Sequence, residues 1–467
     1  LTQEVDHQMA LATPLTDPGP DALDVLIARE EASLLARTTQ SHALHTTACA
    51  SLAGGVASSW QDAPPCPVWI SHGKGSHVWD VDGNEYVDLH AGFGTMLVGH
   101  AHPAMVEAVT RRVGLGTHFA QPVPDLIPVS VELARRFQLP LWRFANSGTE
   151  ATMAALHLMR AVTGRQRIIK VEGSYHGHHD AVQVSVYPEA ADAGPPDRPR
   201  PVPEHIAVST SLAAATHVVP FGRLDAVRRI LLAHPGEIAG MIIEPVMMNI
   251  GIVPPPPGYL QALADLLRAH GALLTFDEVK TGLAIAPGGA VERFGVVPDV
   301  VCLAKALGGG IPCGAIGGTA EVMQVVVDGT YDQVGTFNGN PLTVAAMKTV
   351  LLDILTPAAY HHFDELRDEL VERVHHTLGT YRIPGYVSAF GAKGAVVFSP
   401  TRIRNYRDFC AYDSRYGHAH WLYQHNGGVF LPPWGKAEQW TLSVQHTAAD
   451  VDVAARNVER FARDLRG

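Results

Sequence analysis

Apolar and polar positions along this chain follow two regimes. Up to about residue 99 the pattern is mixed. Ala22–Arg37, rich in Leu and Ala, has the spacing of an amphipathic helix and follows a linker-like stretch, Thr13–Pro20. His77–Asp80 and Glu85–Leu89 predict a hairpin turning at Asp82-Gly83. From about residue 100, short apolar runs alternate with helical patterns. Leu141–Ala145, Arg167–Val171, Glu237–Ile243, Ala272–Phe276 and Val300–Ala304 predict strands; Leu126–Phe137, Thr149–Val162 and Tyr259–His270 predict helices. Such alternation predicts an α/β fold, a mostly parallel sheet covered on both faces. Beyond Leu352, strands at Ala395–Phe398 and Gly428–Leu431 precede a closing helix, Asp450–Leu465. The expected organisation is an arm over 1–45, a large domain over 100–346, and a smaller α+β domain from both flanks, 46–99 and 347–467. Tyr187–His205 is Pro-rich and long for a connection, which predicts either a disordered stretch or a functional lid.

Composition narrows the function class. A chain of 467 residues with 46% hydrophobic and 17% charged residues suits a globular enzyme with more than one structural unit. Its net charge of −11 argues against a nucleic-acid partner, because a phosphate backbone would repel it. No apolar run approaches the roughly 20 residues that span a bilayer, so no membrane partner is expected. Glu4 and Asp6 stand where a secretory leader carries basic residues, and no targeting segment is read there. Cys49, Cys66, Cys302, Cys313 and Cys410 form no CxxC pair, which suits a reducing, cytoplasmic location.

The candidate chemistry lies just after the predicted strands, where parallel sheets bind ligands. Asp277-Glu278-Val279 follows Ala272–Phe276, and Lys305 follows Val300–Ala304. A carboxylate at a buried strand end demands a cationic partner, whether a pyridinium nitrogen or an arginine. An amine there has its pKa lowered, which favours imine formation. Delivered to one sheet edge, the two suit pyridoxal phosphate. The amine holds its aldehyde as a Schiff base, and the carboxylate keeps the ring nitrogen protonated. In Asn146-Ser147-Gly148-Thr149-Glu150, Ser147 and Glu150 match a capping box. The same helix start offers N–H groups and the Thr149 hydroxyl to a phosphate. Tyr175, within Gly173–Asp180, is placed to stack on a flat ring. His176, His178 and His179 fit no zinc spacing, so no metal is expected. Glu244-Pro245 ends a further strand and reads as structural or supporting. Gly335-Thr336-Phe337-Asn338-Gly339-Asn340-Pro341 reads as a loop leading into a helix.

In order and spacing, this set resembles the class III pyridoxal phosphate aminotransferases of fold type I, from about Gly54 to the C-terminus. Gly54-Gly55-Val56, Gly99-His100-Ala101-His102-Pro103 and His446-Thr447 extend the likeness to the glutamate-1-semialdehyde aminomutases and their amino-acid aminotransferase relatives. The resemblance implies a large domain with a mostly parallel seven-stranded sheet and a smaller α+β domain. It makes Lys305, Asp277 and Tyr175 catalytic: Lys305 forms the Schiff base and shuttles the proton, and Asp277 pairs with the ring nitrogen. Val279 and Tyr175 would press opposite ring faces. Ser147, Gly148, Thr149, His176 and Glu244 join the cofactor site, with Thr336 arriving from the second subunit of a homodimer. Tyr187–His205 would correspond to the stretch that gates the aminomutase site. The implied reaction moves an amino group between an amine or amino acid and a keto acid, aldehyde or ketone in two half-reactions. An intramolecular aminomutase is the alternative.

The departures concern the substrate. Gln61 stands where the aminomutase carries a carboxylate-anchoring arginine, and Leu283, Ala284 and Ile285 fill a region where many relatives carry another. A bidentate clamp is thereby lost, unless Arg402 or Arg404 serves instead. Trp60, Gln61, Phe93 and Glu438 are the expected substrate-pocket residues, with Trp434 and Trp440 as further apolar candidates. Two readings outside aminotransferase chemistry are a metal hydrolase built on the histidine cluster and a non-catalytic binding protein of the same fold.

Overall fold

The computed structural model describes residues 20–432 and 439–467. Its strands are β1 (Ile70–Lys74), β2 (His77–Asp80), β3 (Glu85–Asp88), β4 (Leu141–Ala145), β5 (Arg167–Val171), β6 (Thr216–Val219) and β7 (Ile238–Ile243). There follow β8 (Leu273–Asp277), β9 (Val300–Ala304), β10 (Gly314–Gly318), β11 (Tyr386–Phe390), β12 (Lys393–Val397), β13 (Val429–Phe430) and β14 (Gln439–Thr441). Seven of them form one sheet in the order β4-β10-β9-β8-β7-β5-β6. β10 alone runs antiparallel to its neighbours β4 and β9. Every residue of β7 and β9 is buried. That explains why these strands read as continuous apolar runs rather than alternating ones: helices such as Gly148–Thr163 and Tyr259–Ala269 cover the sheet.

The parallel direction decides where the chemistry goes. β4, β5, β7, β8 and β9 all finish on one edge, so Asn146, Glu172, Glu244, Glu278 and Lys305 emerge together as the first residues beyond their strands. β10 starts at that edge. A Cβ on Gly314 would lie 2.4 Å from the Ser147 carbonyl oxygen, so only glycine lets β10 pass beneath the turn into helix Gly148–Thr163.

Both chain flanks supply two further sheets. One has the order β1-β2-β3-β13, with β13 parallel to β3; the other is β11-β12-β14. The hairpin at Asp82-Gly83 lies between β2 and β3. Helix Pro20–Arg37 packs on helices Ser414–Asn426 and Ala448–Arg466. Arg29 there donates to Asp464 Oδ2 at 2.7 Å, and Arg37 donates to the Asn426 carbonyl at 2.7 Å. The linker-like stretch expected up to Pro20 lies almost wholly outside the described residues.

The Pro-rich segment has no regular structure, yet it is pinned. Ser185 N–H donates to the Val202 carbonyl at 2.6 Å, and the Glu204 carboxylate accepts from the N–H groups of Val186 and Tyr187. Arg407 donates to both oxygens of the buried Glu172 at 2.9 and 2.8 Å and to the carbonyls of Ala193 and Gly194. A loop whose backbone groups are satisfied in this way holds one conformation without helix or strand. Arg407→Ala leaves the Glu172 carboxylate buried without its guanidinium. The expected loss is about 3–5 kcal/mol of unfolding free energy, read as a lower urea midpoint at unchanged slope.

Candidate active site

At the carboxyl edge of the seven-stranded sheet lies a cavity of about 400 Å³. Its walls include Ser147, Gly148 and Thr149 from the helix start, Tyr175 and His176 from the turn after β5, and Glu244 after β7. Asp277 and Val279 after β8, Lys305 after β9 and Trp60 complete the set that the sequence brought forward. All ten thus meet in one place.

The acid side is built first. His176 and Asp277 are buried, with Nδ1 and Oδ2 2.7 Å apart; the other carboxylate oxygen accepts from Val279 N–H at 3.0 Å. Glu244 accepts from Tyr175 N–H at 2.9 Å, Met248 N–H at 3.1 Å and the Asn249 amide at 3.1 Å. Burial nonetheless raises its carboxyl above the usual range. Burial likewise raises the Tyr175 phenol, and the Asp277 charge adds to the effect.

The amine side is less satisfied. Lys305 is held at a φ of 47°, a left-handed conformation that is uncommon for a lysine and fixes where the stem leaves the strand. Among the described residues its Nζ makes no hydrogen bond or ion pair. Burial pushes its pKa below the usual lysine range, while Asp277 and Glu244 pull it part of the way back. Such an amine has a larger neutral fraction near neutral pH and so attacks a carbonyl more readily.

The third part is the helix start. Ser147 Oγ accepts from Glu150 N–H at 3.2 Å, and the Glu150 carboxylate reaches back to Asn146 N–H at 2.6 Å. This is close to the predicted capping box, with Glu150 serving the residue before the cap. Gly148 and Thr149 line the cavity, and as first-turn residues their N–H groups have no acceptor within the helix. Thr149 Oγ1 accepts from His178 N–H at 3.1 Å, which ties the turn after β5 to this helix.

Other expected residues lie elsewhere. Gln61 is not brought to the wall: its side-chain oxygen folds back to accept from Ala57 N–H at 3.1 Å. Phe93 reaches the site through Trp60, whose ring also packs on Tyr175; the centroid separations are 5.4 and 5.0 Å. Glu438 and Trp434 lie outside the described residues. Trp440 is buried against Gly394. Arg402 covers the Tyr386 ring and does not line the cavity. Thr336 is exposed, in a separate hollow with His118, Arg143 and Asn338. Among the described residues, no group of three His, Cys, Asp or Glu is arranged to hold a metal ion. His178 instead pairs with Gln183 at 2.6 Å, and His179 lies 3.4 Å from the Thr152 hydroxyl. The sequence reading passed over Lys280 and Asn249, both of which line the cavity; each stands within a few positions of a carboxylate it had singled out.

A free amine withdrawn into the cavity, a buried carboxylate and an open helix start around one cavity fit pyridoxal phosphate. A model of the class-III aminotransferases matches residues 58–438, and the chain belongs to that family. It is an enzyme, and pyridoxal phosphate is its cofactor. It is 38% identical over 435 residues to glutamate-1-semialdehyde 2,1-aminomutase 2 of Geobacillus thermodenitrificans, covering 92% of this chain and 99% of the relative. Its fold is similar to that of a glutamate-1-semialdehyde aminomutase from Pseudomonas aeruginosa PAO1 solved with PMP, with a TM-score of 0.88 at 29% identity over 96% and 99% of the two chains. An omega-transaminase from Sphaerobacter thermophilus is similar at a TM-score of 0.86 and 32% identity, over 91% and 98%.

Gly177 gives a local test. Its φ is +109°, and a Cβ there would lie 2.8 Å from Thr149 Cα. Gly177→Ala therefore strains its own backbone and pushes on the helix start, at an expected cost of about 1–3 kcal/mol. Chemical denaturation measures that cost, and dialysis followed by absorbance should show faster cofactor loss than in the wild type.

Proposed function

We propose that this enzyme is an aminotransferase that moves an amino group between an amine or amino acid and a keto acceptor in two half-reactions. The observation that carries this reading is the Lys305 amine, half-buried and without a hydrogen-bond partner among the described residues, in the same cavity as Asp277 and the helix start at Gly148. When bound, pyridoxal phosphate supplies an aldehyde that captures amines and a ring that accepts electrons. Lys305 would hold the cofactor at that aldehyde and, when its amine is free, would carry a proton to and from the substrate carbon next to nitrogen. Asp277, oriented by His176 and Val279 N–H, would keep a proton at the ring nitrogen. Gly148 and Thr149 would hold the phosphate through N–H groups and a hydroxyl, with Ser147 closing the cap. Tyr175 and Val279 confine the ring, and Trp60 with Phe93 excludes water at the mouth.

Thr336 is assigned to the partner's site in a homodimer. It is exposed and away from its own cavity, on a loop that also exposes Val334 and Phe337. Apolar residues left open on one loop favour burial against another copy.

The aminomutase reading rests on a specific observation: the relative at 38% identity bears that name, and the likeness spans nearly both chains. The two readings differ in whether an external acceptor is needed. In a panel of amine and amino-acid donors followed by cofactor absorbance, an aminotransferase changes spectrum with donor alone and turns over only when pyruvate or 2-oxoglutarate is added. Isomerisation of one substrate without any acceptor would establish the aminomutase instead. Lys305→Ala should abolish both the absorbance of the lysine-bound cofactor and turnover. A variant that kept its activity would remove Lys305 from the centre of the reaction.

A further inference from the structure

The cavity contains a second lysine that this chemistry does not use. Lys280 lies on the turn three residues after Asp277 and lines the same wall as Lys305. Its Nζ donates to Asn249 Oδ1 at 2.5 Å. Among the described residues it has no carboxylate within salt-bridge distance. The nearby acids are committed elsewhere: Asp277 to His176 and Val279 N–H, Glu244 to Tyr175, Met248 and Asn249. Behind it Lys393 is fully buried, its ammonium against Gly94 and donating to Thr441 Oγ1 at 3.0 Å. Among the described residues the only cations lining the cavity are Lys280 and Lys305, and no arginine does so.

Lys280 is half-buried, and an ammonium partly withdrawn from water with spare donors and no counter-ion gains when an anion arrives. The cofactor phosphate has its own cradle at the helix start, and Lys305 is committed to the aldehyde. Besides the cofactor's own ring oxygen, the anion such an enzyme handles is a carboxylate on the amino donor or keto acceptor. We propose that Lys280 is the carboxylate-binding residue of the substrate pocket, so that the substrates are amino and keto acids rather than simple amines. This rests on the aminotransferase reading and deepens it. Gln61, turned away from the wall, and the core residues Leu283, Ala284 and Ile285 provide no positive charge of their own. The competing role for Lys280 is a structural one, holding Asn249 and through it Glu244.

Equilibrium binding of succinate and its uncharged diamide, succinamide, to the purified holoenzyme tests the assignment by calorimetry. The wild type should bind succinate and discriminate against succinamide. Lys280→Met should weaken succinate by roughly tenfold or more, the usual consequence of losing a charged hydrogen bond, and leave succinamide unchanged. Lys280→Arg should restore succinate binding. Cofactor absorbance and cooperative unfolding check that each variant is folded. Equal succinate affinity in wild type and Lys280→Met overturns the proposal, as does weakening of both probes alike, which a structural role predicts. A wild type that binds succinate no more tightly than succinamide overturns it without any variant. Failure of the aminotransferase reading looks different: no amine or amino-acid donor changes the cofactor spectrum of the wild type, whatever succinate does.

Discussion

Charged groups held out of water beside one cavity are the constraint on which the remaining structure depends. Asp277, Glu244 and Lys393 are buried, and Lys280 and Lys305 are half-buried, with burial lowering the pKa of both amines. An isolated charge in such a place would lose its proton or gain one, or pull the fold apart. The fold answers with directed donors rather than with ion pairs alone. Each carboxylate is met by a backbone N–H from its own or a neighbouring turn: Val279 for Asp277, Tyr175 and Met248 for Glu244. Those N–H groups exist at that spot because five strands running one way end on one edge. The sheet is therefore the means by which the acids remain usable, and a looser edge would lose charge before it lost shape.

The same edge imposes geometric demands that only certain residues meet. β10 must run under the Ser147 turn, which requires Gly314, and the turn after β5 must touch Thr149, which requires Gly177. Lys305 itself occupies a left-handed conformation, the kind of local strain that surrounding packing must hold in place. The fully buried β9 before it and the short helical turn Lys305–Gly308 after it provide that packing.

How much of this was legible in the sequence depended on whether local pattern or distant contact governed each residue. β4, β5 and β9 were read with their observed limits; β9, buried on both faces, is an unbroken apolar run between breakers, whereas β4 and β5 carry charged residues within mainly apolar runs. β10 and β6 were not singled out. Gly314-Ala-Ile-Gly-Gly looks like a loop, and Gly314 and Gly317 are explained by Ser147 and Trp142, more than a hundred residues away. Asp277, Lys305 and the helix start were legible because each follows a strand. Lys280 was not, since a lysine three places past a strand end reads by default as a solvent-facing residue. Gln61 was assigned to the pocket by counting along the chain, and a short local hydrogen bond to Ala57 turns it away.

Three amines withdrawn from water near one another cannot all carry charge, and their ranking bears on catalysis. Burial and the other two lysines drive Lys393 well below the ordinary range. Lys280 falls to about 8 through burial and repulsion from Lys305, with Glu244 and Asp277 opposing the fall. Titrations coupled in this way belong to the set rather than to one residue. A carboxylate seated on Lys280 favours its ammonium form, and that positive charge in turn disfavours a proton on Lys305. On the role proposed for Lys280, a bound acid thus favours a neutral Lys305 amine once that amine is free to carry a proton. An arginine could not act in this way, since its guanidinium stays charged whether or not an anion is present. Replacing a permanent fork with a titratable point charge gives up bidentate geometry, and in exchange the state of the substrate end of the pocket is linked to the state of the reacting end.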